Sequence, residues 1–132
     1  MRPIIIALLL ATPALATAPD TSVTYGVWQN PNNSVHARVE RCGTKMCGVV
    51  VWANEKAIAD AAEGGSPNLV GMSLLHSFTQ VDATHWKGKV FIPDVGKTYS
   101  LKVTEIDEDT LTGKGCLFGG IGCQSQTWTR VK

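Results

Sequence analysis

Four cysteines are the residues of this 132-residue chain whose type and spacing bear most directly on chemistry. They form two pairs, Cys42 with Cys47 and Cys116 with Cys123, and each pair brackets a turn that contains glycine. The gap within each pair is too long for the two-residue knuckle of a zinc site or for a C-x-x-C redox motif. The spacing therefore favours two local disulfides, although three pairings remain formally open. We predict no metal site and no cofactor.

Histidines and carboxylates are the other residues that could support catalysis. His36 and His85 fall on the polar faces of alternating segments, and we expect His76 to be buried and hydrogen-bonded. The acidic cluster at 105–109 contains no histidine and has the composition of a charged turn. No zinc-hydrolase, P-loop or Gly-x-Ser-x-Gly motif occurs. We therefore predict no catalytic residue, and a hydrolase is the least favoured function.

The N-terminal residues have the composition of a secretory signal peptide. Arg2 supplies a positive charge, residues 4–11 are an unbroken apolar run, and residues 14–16 read Ala-Leu-Ala, which matches a cleavage signal. The apolar run is shorter than the about 20 residues of a membrane-spanning helix, so we predict no transmembrane anchor. We predict that 1–16 is removed and that 17–132 forms a single exported domain. An oxidising compartment agrees with the disulfide interpretation of the cysteines.

The charge of the chain is nearly balanced, with 12 basic and 11 acidic residues and a net charge of +1. A nucleic-acid-binding protein needs a basic surface, so we predict no nucleic-acid partner. The balanced charge also gives no indication that the protein binds acidic substrates or membrane surfaces. A chain of this length forms one domain with one core, which we expect to be a monomer.

Most of the chain alternates apolar and polar residues at a period of two, as strands with one buried face do. Turn-forming residues separate the predicted strands, which are 24–29, 34–42, 46–53, 73–81, 85–92, 98–106, 110–117 and 124–131. A short helix is predicted in the long loop at 54–71, where Asn54 can cap an alanine-rich stretch. Short turns between successive strands indicate an antiparallel meander. The predicted fold is all-β, an up-and-down barrel of about eight strands whose closure removes its edges.

The two ends of the chain carry residues that can close such a barrel. The first and last strands of a closed meander are neighbours, so Trp28 and Arg130 should meet. A guanidinium over an indole contributes about 0.5–2 kcal/mol. Gly26 allows a neighbouring group to approach closely, and we assign Trp128 to the same closure.

This Gly-x-Trp on the first strand and Arg on the last resembles the lipocalin, or calycin, pattern. A closer resemblance covers nearly all of 17–132 and is to exported bacterial proteins catalogued as domain of unknown function 2147. The stretches that carry it begin GVWQNPNN at Gly26, GKVFIPDVGK at Gly88 and TLTGKGC at Thr110. The resemblance implies a lipocalin-like barrel and export, and it implies no particular activity.

Aromatic and apolar side chains on several strands supply bulk to the barrel interior. In an eight-stranded barrel such side chains either fill the core or line a site for one small ligand. We include Gly88 among the candidates because it leaves side-chain volume empty. The candidate pocket residues are Trp52, Trp86, Gly88, Val90, Tyr99, Leu101 and Val103.

The sequence predicts a non-enzymatic protein of the periplasm or the extracellular space that binds a small apolar or amphipathic ligand. The alternative is an interaction module, in which a barrel with a filled core binds another protein of the cell envelope. An exposed apolar patch would favour the module, and an internal cavity would favour ligand binding.

Overall fold

The computed structural model describes residues 24–117 and 121–132, and for Leu117 and Ile121 it describes the backbone alone. The predicted signal peptide at 1–16 lies outside the described residues. Among the described residues, no helix is both long enough and apolar enough to cross a membrane.

Eight antiparallel strands form a closed barrel in which each strand pairs with its neighbours in sequence. The elements are β1 (Gly26–Gln29), β2 (Val35–Cys42), β3 (Lys45–Ala53), α1 (Glu55–Glu63), β4 (Ser73–Asp82), β5 (His85–Ile92), β6 (Lys97–Asp107), β7 (Thr110–Leu117) and β8 (Ile121–Arg130). β1 pairs with both β2 and β8, which closes the sheet. The predicted all-β up-and-down barrel with a helix in the long loop is confirmed.

The loops that connect the strands are divided between the two ends of the barrel. Successive strands run in opposite directions, so the β2–β3, β4–β5 and β6–β7 hairpins lie at one end, together with the start of β1 and the end of β8. We call this the closed end. The β1–β2 loop, α1, the β5–β6 turn and the β7–β8 hairpin lie at the other end, which we call the open end.

Each end carries one disulfide. Cys42–Cys47 joins the two strands of the β2–β3 hairpin at the closed end, and Cys116–Cys123 joins β7 to β8 at the open end. The predicted local pairing of the cysteines is confirmed.

A hydrophobic core fills the closed end of the barrel. Its buried members come from seven different strands, and they are Trp28, Val39, Met46, Phe78, Trp86, Val103 and Leu111. The indole Nε1 of Trp28 donates to the carbonyl oxygen of Thr24 at 2.8 Å, which satisfies the polar atom of this buried ring. The buried hydroxyl of Thr24 in turn donates to the Glu105 carboxylate.

A second, smaller core lies under α1 at the open end. It consists of Val50, Ala53, Ala61, Leu69 and Leu74. Asn54 caps the helix, since its side-chain oxygen accepts from the backbone N–H of Ala57 at 2.8 Å. The loop after α1 is held to the β5–β6 turn, where the Ser66 hydroxyl donates to the carbonyl oxygen of Pro93 at 3.1 Å. The helix is therefore a fixed part of the rim.

Candidate functional site

A cavity of about 970 Å³ lies inside the barrel, and residues of both cores contribute to its walls. Small-molecule sites in proteins usually measure about 300–1,000 Å³, so this volume is ample for one ligand. Most of the lining side chains are apolar and include Ala37, Val39, Leu75, Val90, Tyr99, Leu101, Val103, Leu111 and Trp128.

Two glycines on β7 explain why this part of the barrel is not filled by its own side chains. Leu111, Gly113 and Gly115 alternate along the strand on one face, and all three line the cavity. A Cβ placed on Gly113 would meet no heavy atom closer than 3.6 Å, and that atom belongs to Leu101. A Cβ on Gly115 would lie 3.3 Å from the carbonyl oxygen of Ser100, so Gly113 is the position of the two where a filled core could carry a side chain.

Two glutamines on β8 face the cavity directly opposite these glycines. In the β7–β8 ladder Gly113 is paired with Gln126, and Gly115 is paired with Gln124. Gln124 and Gln126 alternate with Trp128 on the inner face of the strand, and all three line the cavity. The Oε1 atom of Gln126 accepts a hydrogen bond from the Trp128 indole at 2.9 Å.

Charged side chains lie at the open-end rim of the cavity. Lys56 and Asp60 on α1 form a salt bridge of 2.8 Å between Nζ and Oδ2, and Asp94 stands on the β5–β6 turn. The hydrogen bond from Lys56 to Asp60 raises the pKa of Lys56, and the charges of Asp60, Asp94 and Glu63 act in the same direction. Carboxylates therefore outnumber the ammonium around this rim.

Four of the predicted pocket residues line the cavity, namely Val90, Tyr99, Leu101 and Val103. Trp86 does not line it. Its ring belongs to the core of the closed end, where it is 5% exposed and lies beside Tyr25.

Gly88 does not leave empty volume for a ligand, contrary to the prediction, because the space in front of it is occupied. A Cβ on Gly88 would lie 2.5 Å from Cδ1 of Phe78, so the glycine makes room for this buried ring. Phe78 lies on β4, the strand next to β5, and it fills the volume that was predicted to hold a ligand.

A bulge places Trp52 outside the barrel, contrary to the prediction that it lines the pocket. His36 is paired with Trp52 while Ala37 is paired with Val50, so Val51 is an extra residue on β3. Met46 and Val50 face the core, but beyond Val51 the alternation is reversed. Trp52 is 43% exposed, and its ring lies 4.5 Å from that of His36, measured between centroids.

The residues assigned to closure form a compact group at the closed end, with one exception. The guanidinium of Arg130 lies 4.4 Å from the centroid of the Trp28 ring, and its Nη1 donates to the carbonyl oxygen of Tyr25 at 3.0 Å. Gly26 has a φ of +130°, and a Cβ there would lie 2.5 Å from Nη1 of Arg130. Trp128 is the exception, because it is paired with Leu111 and stands on the cavity wall.

The histidines lie apart from one another, on the outside of the barrel or at a turn. His36 contacts Trp52, and His85 forms a hydrogen bond with Asp82 at 2.7 Å. His76 is exposed, contrary to the prediction that it is buried. Among the described residues, the potential metal ligands that come together are Glu40, Cys42 and Cys47, and these two cysteines are bonded to each other.

Three comparisons relate the chain to known proteins. A family described as "Uncharacterized protein conserved in bacteria (DUF2147)" matches residues 26–130. No curated protein sequence is significantly similar to the chain.

Two solved structures resemble the barrel. Protein HP1028 from Helicobacter pylori, described as belonging to the lipocalin family, has a TM-score of 0.62 at 17% identity, over 82% of each chain. A redesigned β-barrel has a TM-score of 0.49 at 10% identity, over 84% of this chain and 93% of its own, and that likeness is too low to bear on the fold. The first likeness shows a lipocalin-like fold.

Proposed function

This chain belongs to the DUF2147 family of bacterial proteins, and we propose that it binds one small apolar or amphipathic ligand inside its barrel without chemical turnover. The observation that carries the proposal is the cavity of about 970 Å³ with mostly apolar walls. Burying a ligand there gains about 25 cal/mol per Å² of apolar surface, from which the loss of ligand freedom must be subtracted.

The distribution of packing within the barrel supports a site for a ligand. The closed end is filled by large side chains, among them Trp28, Met46 and Phe78 with at most 1% of their surface exposed. The cavity begins where β7 continues with Gly113 and Gly115. Unfilled apolar space destabilises a protein, so a barrel that served stability alone would carry a larger residue at Gly113.

The setting that we propose is the bacterial periplasm or the extracellular space. Export through the signal peptide at 1–16, followed by folding of 17–132 as a monomer, is part of this proposal. The two disulfides and the bacterial family support it, since disulfides persist in oxidising compartments.

A second candidate function is binding of another cell-envelope protein through the outer surface. The exposed Trp52 ring favours it, because aromatic side chains are enriched at protein interfaces. Replacement of Trp52 by Ala separates the two functions, since Trp52 lies outside the cavity.

The test of ligand binding is a fluorescence titration of the disulfide-bonded protein with N-phenyl-1-naphthylamine, an uncharged apolar dye. We expect saturable binding of one dye per chain and at least about tenfold weaker binding by Gly113→Leu, whose side chain enters the cavity. Trp52→Ala is the matched control and should bind the dye as the parent protein does. No saturable binding, or equal binding by Gly113→Leu, would refute the proposal.

A further inference from the structure

The cavity wall formed by β7 and β8 is the one place where side-chain amides follow each other on the inner face of a described strand. Gln124 and Gln126 occupy consecutive inward positions, which lie about 6–7 Å apart along a strand. The residues directly opposite them, Gly115 and Gly113, have no side chains. Each amide is therefore solvent-exposed and borders open space on its own wall.

The two side-chain amides are uncharged, and the hydrogen bonds that they form are directional. A glutamine offers two N–H donors and one carbonyl acceptor. An indole N–H can only donate, so the contact with Trp128 requires Oε1 of Gln126 to face the ring. The Nε2 donors of Gln126 are then left to meet an acceptor from the cavity, while Gln124 can both donate and accept.

The charges around the cavity disfavour an anionic ligand. Within the described part of the chain, the charged residues that line the cavity are Lys56, Asp60 and Asp94. Lys56 is paired with Asp60 at the exposed rim, so a ligand carboxylate would compete with Asp60 for this cation and would face the charge of Asp94. A buried charge without a partner is strongly unfavourable.

At Gln126 the orientation of the amide disfavours a cationic group. An ammonium at this wall would meet the Nε2 donors of that amide, which need an acceptor and repel a second donor. An uncharged oxygen, as in an amide, an ester or a hydroxyl group, satisfies these donors without bringing a charge into the barrel.

We propose that Gln124 and Gln126 form the specificity-determining polar subsite of the cavity, and that the ligand is an amphipath whose polar group is uncharged. This inference rests on the proposed function, and it adds the chemical class of the ligand and the residues that select it. The apolar part of the ligand lies against Leu75, Val90 and Leu101.

The test compares three compounds with the same alkyl chain, namely decanamide, decanoate and decylammonium, as competitors of N-phenyl-1-naphthylamine at neutral pH. We expect decanamide to displace the dye at about tenfold lower concentration than either charged compound. In the double variant Gln124→Leu/Gln126→Leu the affinity for decanamide, measured relative to that for the dye, should fall by about tenfold, because the ligand amide loses its hydrogen-bond partners. Gln80→Leu, which replaces a glutamine of β4 that does not line this cavity, is the matched control and should bind decanamide relative to the dye as the parent protein does.

A second variant keeps the test decisive if the double variant does not fold. Gln124→Lys supplies a cation at the subsite, so we expect it to shift the preference from decanamide to decanoate. If the dye binds but a charged compound wins in the parent protein, or if decanamide competes with the dye as well in the double variant as in the parent, the subsite is refuted and the binding function stands. If the dye does not bind saturably, both are refuted.

Discussion

The guanidinium of Arg130 lies 4.4 Å from the centroid of the Trp28 ring, and these two residues are partners in the ladder that joins β8 to β1. The same guanidinium donates to two backbone carbonyls, that of Tyr25 at 3.0 Å and that of Glu108 at 2.9 Å. One side chain therefore connects the beginning of β1, the end of β8 and the β6–β7 turn. This contact closes the barrel at its shortest ladder, in which β1 and β8 share two residue pairs.

Replacement of Arg130 by Met should lower the free energy of unfolding by about 2–3 kcal/mol, because the cation–π contact and both hydrogen bonds are lost. Lys132→Met is the control, since Lys132 is exposed and pairs with the half-exposed Asp109; it should cost at most about 1 kcal/mol. Urea denaturation of both variants measures the difference. Equal losses would show that Arg130 does not hold the barrel closed.

Gly26→Ala should destabilise the protein by about 2–4 kcal/mol, because it combines backbone strain with displacement of the Arg130 guanidinium from Trp28 and from the carbonyl oxygen of Tyr25. Gly26 has a φ of +130°, and a Cβ would lie 2.5 Å from Nη1 of Arg130. Gly43→Ala isolates the strain, since Gly43 has a φ of +66° and no atom within 4 Å of its Cβ position; it should cost about 1–2 kcal/mol. Thermal unfolding followed by circular dichroism compares them, and a similar loss at both positions would contradict the displacement of Arg130.

Gly88→Ala and Gly113→Ala should have opposite consequences for stability. A Cβ on Gly88 would lie 2.5 Å from the Phe78 ring, so the alanine overpacks the core and should cost about 1–3 kcal/mol. A Cβ on Gly113 would make an ordinary contact of 3.6 Å with Leu101, and the alanine should be neutral or stabilise by up to about 1 kcal/mol. Urea denaturation distinguishes the two, and a larger loss at Gly113 would mean that the cavity wall is misplaced.

The two disulfides should contribute similarly to stability and differently to ligand binding. They close loops of similar length, with sequence separations of 5 and 7, so removing either should cost about 2–3 kcal/mol. Cys116 lines the cavity and Cys42 lies at the closed end, so only the Cys116→Ser/Cys123→Ser variant should weaken binding of N-phenyl-1-naphthylamine. Equal dye affinities in this variant and in Cys42→Ser/Cys47→Ser would contradict the assignment of the open end.

Asp82 should make stability depend on pH in the acidic range. The hydrogen bond with His85, followed by that from the Thr84 backbone N–H, lowers the pKa of Asp82. A carboxyl whose pKa is lower in the folded than in the unfolded state stabilises the protein above the unfolded pKa of about 4, and this contribution is lost as the pH falls through the folded pKa. Asp82→Asn should therefore reduce the melting temperature at pH 6 and leave it unchanged at pH 2. A reduction of the same size at both pH values would exclude the ionised carboxylate as the cause.

The strands and their order follow closely from the sequence, because their signals are local. β5 spans His85–Ile92 as predicted, since apolar residues alternate along it between two turns. The local disulfides follow for the same reason, because a short turn between two cysteines leaves few other partners within reach.

The position of Trp52 could not be read from β3 alone. Its separation from Val50 by two residues places both on one face of a regular strand, but the bulge at Val51 puts them on opposite sides. A bulge is a property of a pair of strands, and here it depends on how β3 matches β2. The alternation of residues along β3 alone does not reveal the bulge.

The sequence by itself determined the element type, the hairpin order and the pairs Trp28–Arg130 and Cys116–Cys123, because periodicity, turns and barrel closure act through neighbours along the chain or through its two ends. Only the tertiary structure decided which inward glycine leaves space. Gly88 is covered by Phe78 from β4, whereas Gly113 has nothing closer to its Cβ position than Leu101 at 3.6 Å. The cavity and its two glutamines arise from the size of side chains on different strands, and that relationship exists only once the barrel is closed.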